Sequence, residues 1–93
     1  MVKRIKKLNI PNLDSLLTPK LIGEVIQARR TQSNLRLEDA AALCGVAKQT
    51  FMQVEHGHCR SQLGTVLQIC SALGIQIKIT PWNDIDEEHH DWE

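Results

Sequence analysis

Tyrosine is absent from this 93-residue chain, phenylalanine occurs once and tryptophan twice, so its core must be aliphatic. No apolar run approaches the roughly 18 residues of a membrane span. The basic start Met1-Val2-Lys3-Arg4 is followed by no signal-peptide core and no small-residue cleavage site. The three cysteines are an odd number without a pairing pattern, which argues against a disulfide framework. A cytoplasmic protein with reduced thiols is expected, Cys44 and Cys70 serving as small hydrophobes on helix faces and Cys59 lying in a loop. A phosphate-binding loop, a nucleophile motif and a paired-carboxylate site are missing too, so no catalytic residue and no enzymatic activity are expected. His56, His58 and Cys59 lie close together, yet a structural zinc needs four ligands and no complementary pair exists elsewhere. No metal or other cofactor is expected. His89-His90 reads as an exposed pair.

Lysine and arginine are absent from residues 81–93, which carry six acids and a formal charge of −6. Residues 1–80 hold all eleven basic residues and five acids, giving +6. The net charge of zero therefore hides a basic body and an acidic tail, a layout that recurs in nucleic-acid binders and their regulators. At this length one domain is expected, with a core worth only a few kcal/mol net, so dimerisation would help it.

Three regions follow. Residues 1–11 form a basic arm with Lys3, Arg4, Lys6 and Lys7, whose role the sequence leaves open. Residues 12–80 form the folded domain, and residues 81–93 an acidic flexible tail. Within the domain, residues 12–17 suit one helical turn with Leu13, Leu16 and Leu17 on one side. Thr18 and Pro19 then signal a helix start. Ile22, Val25, Ile26 and Arg29 recur at helical spacing, the Arg stem lying along the apolar face, and Asn34 is a stop. A second helix over 37–44 turns Leu37, Ala40, Ala41 and Cys44 inward, with Glu38 and Asp39 at its dipole-favoured start. Gly45 breaks it. A third helix over 48–56 buries Phe51 and Val54 and ends at Gly57. A fourth, capped by Ser61 and ended by Gly74, carries the stripe Leu63, Val66, Leu67, Cys70 and Leu73. The period then changes: Ile75, Ile77 and Ile79 alternate with Gln76, Lys78 and Thr80, which is strand spacing. A lone strand cannot satisfy its own backbone. Pairing with the same strand of a second copy, in a homodimer, is the expected solution.

The informative segment is 35–57, LRLEDAAALCGVAKQTFMQVEHG. Small Ala41 permits close helix approach, Gly45 permits a tight turn, and Val46 plugs the angle between the two helices. Lys48, Gln49, Met52 and Gln53 are left outward on the second helix, an arrangement suited to a major groove. The combination resembles the Xre/Cro/phage-repressor family of helix-turn-helix proteins over residues 18–74. The resemblance implies a mainly α, lambda-repressor-like domain of four to five helices, here with one C-terminal strand added. It also implies that Lys48, Gln49 and Gln53 read bases, as their chemistry allows: Gln pairs with adenine and Lys with guanine. Thr50 is expected at a thymine methyl or a phosphate. Arg29, Arg30, Arg36 and Arg60 are phosphate candidates. The chain departs from the family pattern at Arg36-Leu37, where Thr-Gln is common, at Ala47 in place of a capping Ser, and at Met52.

The added strand and the tail, with Trp82 and Trp92, resemble HipB-type antitoxins. That likeness implies a repressor of its own operon that also holds a HipA-like kinase toxin, Trp92 being the docking anchor. Two other readings stay open. One is a stand-alone Xre-type regulator without a toxin. The other is an interaction adaptor that no longer binds DNA, for which the missing helix caps at Arg36 and Ala47 speak.

Overall fold

Thr18 starts the first helix as its sequence predicts: its hydroxyl accepts the Leu21 N–H at 3.0 Å, and Pro19 takes the first helical position. The structure, a computed structural model, describes residues 5–58 and 60–82. They contain four helices: α1 (Pro19–Gln32), α2 (Leu37–Cys44), α3 (Lys48–Glu55) and α4 (Leu63–Leu73). Asn34 closes the α1–α2 corner in the left-handed region, φ 60°. α2 and α4 end on Gly45 and Gly74, both left-handed, as expected for residues without a Cβ.

The core forms where the four helices meet. Phe51 is fully buried at its centre, with Ile22 and Ile26 of α1, Ala40, Ala41 and Cys44 of α2, and Ile69, Cys70 and Leu73 of α4 around it. Burial pushes the Cys70 thiol up to about 11, with the neighbouring Cys44 adding to the shift, so both thiols stay protonated and apolar. Cys59 lies outside the described residues.

Several expectations are corrected. Residues 12–17 are not helical; Asp14 N–H donates to the Asn12 side chain in a turn, and Leu13, Leu16 and Leu17 are all exposed. In α1 the inward arginine is Arg30, not Arg29, because α1 buries Ala28, Arg30 and Thr31 late in the helix. In α4 the buried set is Ile69, Cys70 and Leu73, whereas Leu63 is 70% exposed and Leu67 faces solvent in part. α4 is apolar on two faces, and only one meets the core. Its cap is Gln62 rather than Ser61, without a side-chain hydrogen bond.

Among the described residues there is no strand. In residues 75–80 the alternation that suggested one holds only in part: Ile75 and Ile77 pack against the core, whereas Ile79, expected on the same side, is exposed along with Gln76 and Lys78. Among the described residues nothing pairs with this segment. Among the described residues no helix is long and apolar enough to cross a membrane.

Candidate nucleic-acid interface

The α2–α3 unit is held by small and glycine residues at the turn. Val46 N–H donates to the Ala41 carbonyl at 3.0 Å and Gly45 N–H to that of Ala42 at 3.2 Å, with Gly45 at φ 74°. Val46 packs against the core, as its place in the motif implies. α3 leaves this turn with Phe51, Val54 and Glu55 inward. Lys48, Gln49 and Gln53 are exposed, and Thr50 and Met52 are half-buried at the flanks. The residues expected to read bases therefore share the solvent side of one helix.

Two ties hold the α2–α3 unit in place, and neither follows from helical periodicity. At the turn between the two helices, Gln68 of α4 donates to the Cys44 carbonyl at 2.8 Å and more weakly to that of Gly45, satisfying the open end of α2. At the end of α3, Arg30 Nε and Nη2 donate to the Glu55 carboxylate at 2.5 and 3.2 Å. Arg30 Nη1 also donates to the Leu35 carbonyl at 2.9 Å, so one guanidinium joins α1, the α1–α2 corner and α3. The pair is buried, and forked geometry of this kind is the strong form of an ion pair. Arg30 is thus a structural residue and is removed from the phosphate candidates. Arg29 is engaged too: its Nε donates to the Leu73 carbonyl at 2.8 Å, capping α4.

The other two phosphate candidates are Arg60 and Arg36. Arg60 shares a shallow polar depression with Thr50, Gln53, Ser61, Gln62 and Thr65. Arg36 occupies the N-cap position of α2. The Glu38 carboxyl is held below its ordinary range first by a backbone hydrogen bond and then by the positive charges of Lys48 and Arg36. The α2 start and the α3 start are therefore electrostatic neighbours. Ala47 gives α3 no side-chain cap, in line with its sequence, and leaves the N-terminal end of the helix open to an anion. Trp92, Lys3 and Arg4, together with the acids of the tail, lie outside the described residues. No group of three metal-ligating side chains occurs among the described residues.

A family model described as a helix-turn-helix domain matches residues 21–77, which contain all four helices from the first turn of α1 onward. The chain is also similar, at 34% identity over 79 residues, to an uncharacterized HTH-type transcriptional regulator, y4mF, of Sinorhizobium fredii (strain NBRC 101917 / NGR234). That alignment covers 85% of this chain and 90% of the relative.

Proposed function

The chain belongs to the helix-turn-helix domain family, of the Xre-like kind, and on that premise we propose that it is a DNA-binding transcriptional repressor. One observation carries this reading: Lys48, Gln49 and Gln53 are exposed on a helix whose far end is tied to α1 through Glu55 and whose preceding turn is tied to α4 through Gln68. Gln49 and Gln53 supply amide pairs that match adenine, and Lys48 a donor for guanine. Thr50, Arg36 and Arg60 then set the protein on the backbone, fixing register without reading sequence.

A homodimer serves this role. Residues 75–80 have no ladder partner among the described residues, and Ile77 lines an open apolar groove with Leu17, Leu63 and Leu67. Pairing of two such segments would satisfy both backbones and cover exposed apolar surface. Two copies related by a two-fold axis require a two-fold symmetric operator with half-sites about one helical turn apart.

An operator selected from a randomised duplex pool tests the assignment. Gln49→Ala or Gln53→Ala is expected to weaken binding to that operator by about 1–3 kcal/mol and to leave binding to random duplex nearly unchanged. Equal losses on both duplexes would remove the base-reading role. Footprints of the unsubstituted chain should fall in two symmetric half-sites.

The likeness to HipB-type antitoxins supports a second partner, a HipA-like kinase toxin engaged through residues 83–93 with Trp92 as anchor. A tryptophan among acids is a good anchor because it buries a large area once a partner covers it. Trp92→Ala should then abolish co-purification with such a kinase while operator binding stays intact. Full retention of the complex would favour the stand-alone regulator.

A further inference from the structure

The segment ahead of α1 is hydrogen-bonded to the domain. Leu8 N–H donates to the Thr31 hydroxyl at 3.1 Å, and Gln32 Nε2 donates to the Leu8 carbonyl at 2.7 Å. Thr31 is itself held, its hydroxyl donating to the carbonyls of the preceding turn of α1. Both backbone groups of Leu8 are thereby fixed to the last turn of α1. Ile5, Lys6 and Lys7 consequently come to lie against Asn34, in the α1–α2 corner, with both lysines exposed. Two residues on is Arg36, at the start of α2, and past it Lys48, at the start of α3. Lys6 and Lys7 thus share a depression with Asn34, just ahead of α2, and Arg36 and Lys48 both act on Glu38 in the first turn of α2.

We propose that residues 5–8 are a fixed clip that holds Lys6 and Lys7 against the sugar–phosphate backbone of duplex DNA beyond the stretch read by residues 48–53. The proposal rests on the DNA-binding reading above. An untethered arm would lose conformational freedom at each residue ordered on binding. The two hydrogen bonds of Leu8 remove most of that cost in advance. Lysine suits the task, since it meets a phosphate as a point charge and reads no base.

The test is the salt dependence of binding to a mixed-sequence duplex that extends beyond the operator. Each phosphate contact contributes about 0.9 to the slope of log affinity against log salt, so Lys6→Ala/Lys7→Ala should lower the slope by about 1.8. Lys20→Ala, an exposed lysine at the start of α1, serves as the control for general charge, and a per-lysine loss no larger than its own overturns the contact. The pair Thr31→Val/Gln32→Ala keeps both charges but frees the segment; affinity should fall severalfold, with melting curves confirming a folded chain. Affinity equal to that of the unsubstituted chain overturns the clip. Failure of the unsubstituted chain to bind any duplex removes the DNA reading and the clip with it, whereas binding with an unchanged slope in the double lysine variant removes the clip alone.

Discussion

Glu55→Ala is expected to cost about 3–5 kcal/mol of folding stability, measured by urea unfolding, because it leaves the Arg30 guanidinium buried beside an empty site. That loss is a large share of what a domain of this size has to spare. Arg30 would keep its bond to the Leu35 carbonyl but lose both bonds to the carboxylate. The double variant Arg30→Met/Glu55→Leu separates a lost contact from a stranded charge. Buried ion pairs replaced as a unit by apolar groups of similar volume are often neutral or stabilising, so the double variant should recover most of the loss. It should nonetheless bind DNA less well, since α3 would lose its directional tie to α1. A double variant no more stable than Glu55→Ala would show that the pair itself, and not the avoidance of an unpaired charge, holds the corner together.

Gly23→Ala reverses the usual sign of its substitution. In an open helix, alanine in place of glycine is favoured by about 1 kcal/mol. Here a Cβ on Gly23 would stand 2.5 Å from the Glu55 carbonyl oxygen and 2.7 Å from that of Val54. Both neighbours are backbone and cannot rotate away, so α1 must move off the end of α3. Overpacking of this kind should destabilise the protein by about 3 kcal/mol. Gly64 supplies the comparison: it lies in α4 with nothing within 4 Å of a built Cβ, so Gly64→Ala should stabilise by about 0.5–1 kcal/mol. Paired thermal melts of the two variants check the argument. Shifts of the same sign would mean that the α1–α3 approach tolerates a methyl group.

These two positions show where reading the chain by pattern stops. α2, the Gly45 turn and α3 were legible because each side chain there answers to its own helix: Ala40, Ala41 and Cys44 recur on one side, and Phe51 and Val54 on another. The outward placement of Lys48, Gln49 and Gln53 follows from the same geometry. Glu55 stood in the recognised motif, but its partner was not visible, because 25 residues separate it from Arg30. Neighbouring arginines in α1 cannot be told apart by periodicity when both lie at the edge of the apolar stripe. Gln68 reads as ordinary surface until α4 is placed across the end of α2. In α4 the stripe chosen by spacing included Leu63 and Leu67 and omitted Ile69, since a helix apolar on two faces offers more than one solution.

Short-range order was set by residues close in the chain: Thr18 with Pro19 opens α1, Asn34 closes its corner, and Gly45 and Gly74 end α2 and α4, each through the backbone angles it permits. Local periodicity likewise chose the surface of α3 that faces outward. Only the tertiary structure decided which arginine turns inward, which face of α4 stays open, that residues 12–17 remain non-helical and that Leu8 is tied to α1. The reason is physical. Backbone angles and helical spacing are properties of a few consecutive residues, whereas a buried ion pair, a carbonyl cap or a close approach exists only when segments distant in sequence share one volume.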